Sequence, residues 1–357
     1  MDSTSINRIA VIGLGKVGLL AARLLDRAGL QVIGLDLRPP RVTTPFATRA
    51  LDVSSTEAIR EALGRVDAVL SCLPYQLNRP LAEMAHALGK HYFDLTEDVP
   101  STQRILDLSK TSAGLMAPQC GLAPGFVCIA AASLIAQFDR CRSVRMRVGA
   151  LPQHPSGQLG YAFNWSPDGV VNEYLNDCEV IEGGTRKFVS SMEWLEKLYV
   201  EGVQLEAFTT SGGLGTMCET YHGVVDNLDY KSMRYPGHMD LMNFFFHELL
   251  MRDRRKLAGE ILTNAKPPVS DDVVYMHVAA EGQIDGQLRR SEFVRSFRPI
   301  QVAGERCTAI AWTTAASVTA VIELVRQGTL AHSGFLRQEQ IPLDAFLATS
   351  TGSLFTK

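Results

Sequence analysis

From Arg8 to Gly13 the chain is β-branched and apolar (Ile9, Ala10, Val11, Ile12) and closes on glycine, the pattern of a buried parallel strand. Leu19 to Ala28 carries its apolar residues at helical spacing and is stopped by Gly29. Gln31 to Leu35 is a second apolar strand, ending in Asp36. The alternation continues with a strand over Ala47–Val53, a helix over Thr56–Leu63 and a strand over Asp67–Leu73. A helix over Arg79–Leu88, a strand over His91–Leu95, a helix over Arg104–Ser109 and a strand over Leu115–Pro118 follow. Strands alternating with helices predict an α/β fold with a doubly wound parallel sheet. In such sheets ligands sit beyond the carboxyl ends of the strands. That rule places Gly13 to Gly18, Asp36, Asp52, Cys72 to Tyr75 and Thr96 to Asp98 along one edge.

After Cys120 the pattern changes. Gly121 to Gly125 is a turn cluster and Ile129 to Gln137 reads as a helix. Arg142 to Leu151 alternates through Val144, Met146 and Val148, which predicts a half-exposed strand. Residues 152–169 are rich in Pro, Gly and Asn, a loop holding Tyr161, Phe163 and Trp165. Further strands are predicted at Glu179–Ile181, Leu205–Thr209, Leu228–Met233 and Val273–Ala280, and a helix at His238–Met251. Together these predict a mixed α/β domain with more antiparallel strand than helix. Thr308 to Arg326 is a nearly uncharged helix, apolar almost all round, so it belongs in a core. We expect it to return to the first domain, giving a nucleotide domain over 1–122, an inserted domain over 123–305 and a C-terminal helix and tail over 306–357.

Composition narrows the function classes. In 357 residues, 46% are hydrophobic and 20% charged, as in soluble globular proteins. Lys+Arg number 35 against 38 Asp+Glu, for a net charge of -3. That balance argues against a nucleic-acid partner or a basic membrane-surface protein. The cysteines are scattered without a close pair, which fits a cytoplasmic location. Residues 1–8 lack a basic region followed by an apolar run, so no secretory signal is expected. No stretch reads as a transmembrane helix. No ligand-type residues have tight metal spacing, so no metal is expected.

The sharpest chemical signal is at the start. Gly13, Gly15 and Gly18 stand in G-x-G-x-x-G spacing between the first strand and the first helix, with Lys16 and Val17 opening the helix. Gly13 permits a tight turn, Gly15 lets backbone approach a pyrophosphate, and Gly18 lets helix and strand pack closely. The diphosphate would lie on the helix N-terminus, where unpaired N–H groups favour negative charge. Asp36 ends the second strand, where a carboxylate accepts ribose hydroxyls and repels a 2′-phosphate, so NAD is favoured; Arg38, beyond Leu37, leaves NADP open. Asp52 and Val53 are the expected adenine contacts, and Cys72, Leu73, Pro74 and Thr96 complete the candidate cofactor contacts.

Candidate catalytic groups are more dispersed. Ser211, Gly212 and Gly213 could offer a hydroxyl and amides to a carboxylate or amine, or form a plain loop. Arg234, at a strand end before Pro236, could clamp a carboxylate bidentately, although a surface or interface arginine is the commoner outcome. His238 could shuttle a proton or simply pack at a helix start. Glu97 could act as a general base on an amine or lie in a solvated turn. Tyr75 could line a nicotinamide pocket or be an ordinary aromatic shoulder.

With Gly13 to Gly18, Leu73 to Tyr75, Gly121 to Gly125, Thr210 to Leu214 and Arg234 to His238 in this order, the chain resembles the saccharopine dehydrogenase (reductase-type) superfamily, and within it the lysine 6-dehydrogenases. The resemblance implies a Rossmann domain with an inserted α/β domain, a C-terminal helix returning to the first, and a homodimer. It implies NAD(P)-dependent oxidation of an amino-acid substrate at a carbon bearing a terminal amine. Its carboxylate would lie on Arg234 and the 211–213 segment, the nicotinamide near Tyr75 and Thr96, and protons would pass through Glu97 or His238. Reductase-type members carry Asp where this chain has Ala123, which brings it closer to the lysine-oxidising members. Two alternatives stand beside this: an imine reductase of the saccharopine or carboxyspermidine type, and a non-catalytic NAD(H)-binding protein.

Overall fold

The computed structural model describes residues 6–356; residues 1–5, part of the stretch in which no signal is expected, and Lys357 lie outside the described residues. The chain divides into two compact units. One runs from the N-terminus to Phe126 and resumes at Ala303–Glu305 and from Ala311 onward; the other comprises Val127–Val302 and Arg306–Ile310.

The first unit is built on strands β1 (Arg8–Ile12), β2 (Gln31–Asp36), β3 (Ala47–Ala50), β4 (Ala68–Ser71), β5 (His91–Phe93) and β6 (Leu115–Ala117). With a late strand, Gly334–Phe335, beside β6, they form a seven-stranded sheet in the order Gly334–Phe335, β6, β5, β4, β1, β2, β3. Every pairing is parallel. Helices α1 (Lys16–Arg27), α2 (Thr56–Gly64), α3 (Asn78–Ala87) and α4 (Val99–Ser109) are the crossovers. Ala10, Ile12, Leu35, Val69, Tyr92 and Met116 of the sheet pack with Ile59, Leu63, Leu81, Ala85 and Ile105 of the helices. The β-branched run of β1, paired on both sides (Val11 with Gly34 and with Leu70), is the strand that both faces bury. Helix α4 starts at Val99, earlier than its apolar spacing predicts. Asp98 caps it by accepting from Ser101 N at 2.9 Å, and Pro100 suits a first turn that needs no N–H. The third strand ends at Ala50, so Asp52 and Val53 lie in the turn beyond it.

The second unit opens with α5 (Phe126–Ile135) and carries β7 (Arg140–Pro152), β8 (Cys178–Glu182), β9 (Thr185–Val189), β10 (Glu196–Val200), β11 (Val203–Thr209), β12 (Asn227–Arg234), β13 (Asp272–Ile284) and β14 (Gln287–Phe297). The sheet runs β10, β11, β12, β7, β13, β14, with β8 on β12 and β9 on β8. Only the β12–β7 pair is parallel. Its helices are α6 (Pro167–Leu175), the short α7 (Met217–Tyr221), α8 (His238–Asn243) and α9 (Arg255–Ala265). Leu151, Leu205, Ala207, Met233, Val273 and Tyr275 of the sheet meet Val170, Val171 and Tyr174 of α6 and Ala258 and Leu262 of α9. Towards the other end of that face the sheet buries charge. Arg147 pairs with Glu196 and, at 2.6 Å, with Asp229, and Lys231 donates to Glu196 at 2.9 Å.

Two segments depart from the sequence pattern. The helix expected over His238–Met251 stops at Asn243, continues as a π-helical turn over Phe244–Glu248 and breaks where Leu250 takes a φ of 56°. Strand β14 escapes the periodicity because its charged residues, Arg289, Arg290, Glu292 and Arg295, lie on an exposed edge; only its register with β13 makes it a strand.

The chain then returns through α10 (Ala309–Arg326) and α11 (Leu343–Ala348). In the second unit, buried Asp272 accepts from Ala309 N at 2.6 Å and Ile310 N at 3.0 Å, capping α10 from a distant strand. In the first unit, Glu323 of α10 accepts from Ser350 N (2.9 Å), Thr351 N (3.1 Å) and Thr351 Oγ1 (2.6 Å). Arg326 donates to the carbonyls of Ala28 and Gly29 at the end of α1, where a cation favours the helix dipole. By length and composition α10 could cross a membrane (mean hydropathy 1.3), contrary to the sequence reading, but 83% of it is buried in the protein, as a core helix is.

Two outcomes follow from these pins. Glu323→Ala strands the two buried donors of Thr351 and the part-buried amide of Ser350 and lowers the unfolding free energy by about 3 kcal/mol, read by denaturant titration. His91 is buried with Nδ1 accepting from Leu115 N at 3.0 Å; burial, aided by the nearby His332 and Lys90, lowers its pKa to about 4. The unfolded chain therefore binds more protons than the native one between pH 4 and the unperturbed value near 6.5. Measured against His91→Asn, the wild type gains stability as pH rises through that window and levels off above it.

Candidate active site

The glycine turn is fixed by the strands around it. Gly13 N donates to Leu35 O at 2.8 Å, and Leu14 N to Asp36 Oδ2 at 2.7 Å. The other carboxylate oxygen of Asp36 accepts from Arg38 N at 2.8 Å. Gly13 has a φ of 93°, and a Cβ on it would stand 2.6 Å from the Cys72 carbonyl oxygen. At Gly18 a Cβ would run into the Gly13 carbonyl and stand 3.0 Å from Cys72 Cβ. Gly15 is different: nothing of the protein lies within 4 Å of where its Cβ would be. Two glycines are thus required by packing, and the third leaves open space at the start of α1. That helix has no side-chain cap and no acid in its first turn, so its leading N–H groups are ready for an anion. The residues fit a dinucleotide pyrophosphate. Lys16 is exposed and Val17 half-buried beside this opening, and Leu37 and Arg38 are exposed past Asp36.

Further along the same edge of strand ends lies a buried polar cluster. Asp94, fully buried, follows β5 and accepts from Thr96 N and Gln119 N, each at 3.0 Å, and from Tyr92 Oη at 2.9 Å. Burial raises its pKa to about 6 against the pull of those donors. Asn78 accepts from Ser71 Oγ at 2.6 Å and, through its carbonyl, from Tyr92 Oη at 3.3 Å. Glu97 is half-buried and its carboxylate has no hydrogen bond or ion pair with another residue among the described residues; burial, opposed by its own amide and reinforced by the charges of Asp98 and Asp94, raises its pKa to about 7. A carboxyl poised there can take or give a proton near neutrality. Tyr75 sits in a turn after Pro74, partly exposed, with no partner for its hydroxyl among the described residues. Burial, with Asp94 nearby, pushes the Cys72 thiol up to about 12, so it stays protonated.

In the second unit the sequence candidates converge on Arg234, which is 3% exposed at the end of β12. No carboxylate lies within ion-pair distance of it among the described residues. Its Nε donates to Tyr174 Oη at 2.6 Å and Nη1 to Met233 O at 2.8 Å, while Tyr161 and Tyr174 place their rings 4.8 and 5.5 Å from its guanidinium carbon. Burial opposes its charge, but Tyr174, Tyr161 and Glu173 together hold its pKa above the ordinary value. Nη2 has no partner among the described residues and is the edge open to an anion. His238 is 1% exposed, and burial, with the charge of Arg234, lowers its pKa to about 3. It is neutral at physiological pH and both ring nitrogens are engaged, by Tyr174 Oη and by Leu159 O.

The 210–215 loop has local reasons for its glycines. Gly212 has a φ of 86°, and a Cβ on Gly213 would enter the Tyr230 ring. Ser211 N already donates to Glu173 O at 3.0 Å. The Gly212 and Gly213 signal therefore reports backbone shape and packing as well as any ligand. Asp94, Tyr161 and Tyr174 were not singled out by sequence reasoning. Tyr161 lies in the part of the expected 152–169 loop that has no helix or strand, Tyr174 on a helix that begins inside that stretch, at Pro167, and Asp94 inside an apolar strand signal, where a lone carboxylate just past the strand was the one available cue.

Fold and glycine turn together define a nicotinamide-dinucleotide-binding domain joined to a mixed-sheet domain. Residues 9–117 match the saccharopine dehydrogenase NADP binding domain and residues 121–350 the saccharopine dehydrogenase C-terminal domain. The chain belongs to the saccharopine dehydrogenase family. It is 24% identical over 153 residues to the saccharopine dehydrogenase [NADP(+), L-glutamate-forming] of Schizosaccharomyces pombe, covering 41% of this chain and 34% of that one. It is 26% identical over 140 residues to the alpha-aminoadipic semialdehyde synthase of Arabidopsis thaliana, covering 38% of this chain and 13% of that one. These matches thus span about a third or less of the curated relatives. Among solved structures, saccharopine dehydrogenase (L-Glu forming) from Saccharomyces cerevisiae shares the fold with a TM-score of 0.71 at 16% identity over 96% of both chains. An engineered D-amino acid dehydrogenase bound to NADP+ does so with a TM-score of 0.51 at 14% identity over 99% of both.

The glycine geometry separates binding from folding. Gly15→Ala, at a φ of -68°, leaves thermal stability unchanged but weakens dinucleotide binding by about tenfold or more, by calorimetry, because the methyl group fills the pyrophosphate space. Gly13→Ala lowers stability itself, since both its φ and the Cys72 carbonyl exclude a side chain.

Proposed function

We propose that the protein is an NAD(P)-dependent oxidoreductase acting at a nitrogen-bearing carbon of an amino acid, of the lysine 6-dehydrogenase kind. The observation that carries this reading is Arg234: a buried guanidinium with no carboxylate in ion-pair contact among the described residues and one edge free is suited to a substrate carboxylate. The family supplies the rest of the support, as do fold relatives described as acting on amino acids.

In this reading α1 and the turn at Gly15 hold the pyrophosphate, and Asp36 receives the adenosine ribose. When bound, the dinucleotide supplies the hydride acceptor. Arg234 fixes the substrate by its carboxylate, which turns a collision into a positioned encounter. Glu97 accepts a proton at its carboxyl, keeping the substrate nitrogen neutral. NAD is the preferred coenzyme because Asp36 would repel a 2′-phosphate. The protein works as a cytoplasmic homodimer.

The reductive direction is the second reading, favoured by the saccharopine dehydrogenases among the relatives. A screen of L-amino acids and polyamines with NAD+ and NADP+, run beside NADH oxidation with amine–aldehyde pairs, decides between them. Turnover with L-lysine and NAD+ is expected; turnover only with amine–aldehyde pairs selects the reductase. Tight NADH binding with no turnover in either panel overturns both and leaves a non-catalytic binder. Asp36→Ser shifts the ratio of kcat/KM for NADP+ over NAD+ upward by about tenfold, since it removes a like charge facing the 2′ position.

A further inference from the structure

We propose that Tyr174 is a positioning residue for Arg234, and that His238 serves the site only through Tyr174. The inference rests on the reading of Arg234 as the carboxylate clamp. Every donor and acceptor in the chain of contacts has a fixed direction. Arginine only donates, so at 2.6 Å Tyr174 Oη accepts from Arg234 Nε. The tyrosine hydrogen is then free to point at His238 Nε2, 2.9 Å away. That nitrogen can accept because Nδ1, 3.0 Å from Leu159 O, must carry the ring proton: a carbonyl offers no hydrogen. The order is Arg234 to Tyr174 to His238 to Leu159, with no link that can be reversed.

The surroundings hold this order in place. Tyr174 and His238 are each 1% exposed, so water does not compete for either end. The His238 ring stacks on Phe208 at 6.2 Å with an interplanar angle of 13°, and Tyr161 meets its face edge-on at 5.3 Å. Glu206, buried beneath the start of α8, accepts from Gly237 N at 2.8 Å and Met239 N at 2.7 Å and so fixes the backbone on both sides of His238. Tyr174 holds Nε while the Met233 carbonyl holds Nη1, and these two bonds set the plane of the guanidinium. The edge they leave is Nη2. A guanidinium plane that is set in advance loses less freedom on meeting a planar carboxylate. Tyr174 thereby makes, as a neutral phenol, the orienting bond that a carboxylate usually makes to a buried arginine.

Two measurements test this. In histidine-labelled protein, nitrogen NMR is expected to find His238 as the neutral, Nδ1-protonated tautomer from pH 5 to 8; an Nε2-protonated ring or an imidazolium overturns the proposal. The second is calorimetric binding of the twenty common L-amino acids, compared across wild type, Arg234→Lys, Tyr174→Phe and His238→Leu, with thermal melting as a control for folding. Tyr174→Phe keeps the ring over the guanidinium and removes only the hydroxyl. The expected result is that it weakens the amino acid that binds wild type best by about tenfold, while binding of the decarboxylated amine of that amino acid does not change. His238→Leu weakens binding in the same direction, His238→Gln, whose carbonyl can accept from Tyr174, restores it, and Tyr174→Phe/His238→Leu is no weaker than Tyr174→Phe alone. If Arg234→Lys loses the amino acid but Tyr174→Phe binds it as wild type does, the positioning role falls and the clamp stands. If no amino acid binds wild type, or Arg234→Lys binds as wild type does, the clamp itself falls, and the positioning role with it.

Discussion

Backbone N–H groups at the starts of helices and in tight loops have no partner within their own element, and in this protein four buried carboxylates accept from them. Asp94 takes the amides of Thr96 and Gln119, Glu206 those of Gly237 and Met239, Asp272 those of Ala309 and Ile310, and Glu323 those of Ser350 and Thr351. Most of these bonds join segments far apart in the chain. Each acid pays for its own desolvation with two or more amide donors, and in return it locates a helix start or a loop to within a hydrogen-bond length. The glycine turn obeys the same rule on its surface side, where Asp36 takes the amides of Leu14 and Arg38.

Against that background Arg234 stands apart. The buried acids are satisfied by the backbone; this buried base is satisfied on two sides, by a phenol and a carbonyl, and faced by aromatic rings. Arg147, equally buried in the same sheet, shows the structural alternative: it is paired with both Glu196 and Asp229 and has no charge to offer a ligand. Two arginines on neighbouring strands thus have opposite fates. The difference lies in which acids the sheet register brings alongside, because Arg147 faces Lys231 across the β12–β7 pair, with Glu196 and Asp229 in reach, whereas Arg234 faces Glu206, already committed to α8. The same distinction separates Glu97, with no bond from another residue to its carboxylate among the described residues, from Asp94, fully bonded three residues earlier in the same turn.

The amino-acid sequence carried the first domain almost entirely. A strand, three glycines at fixed spacing, a helix and a strand ending in Asp36 are local signals, and each acts within a few residues: φ sign at Gly13, lack of room at Gly18, open space at Gly15. Apolar period also marked α10 as a core helix, because burial all round leaves no polar face to hide. The family resemblance rested on short motifs of the same local kind. What the sequence could not supply was long-range pairing. β14 is charged along its length and becomes a strand only through its register with β13. The break after Asn243 depends on a π turn and a left-handed Leu250, neither of which apolar spacing encodes. The site in the second domain is non-local in the same way: Leu159, Tyr174 and the Arg234–His238 motif lie on three separate segments, and nothing in any one of them foretells that a phenol will stand between a guanidinium and an imidazole. Local sterics and periodicity were written in the chain; the direction of each buried hydrogen bond, and with it the free edge of Arg234, was decided only when distant segments shared one desolvated space.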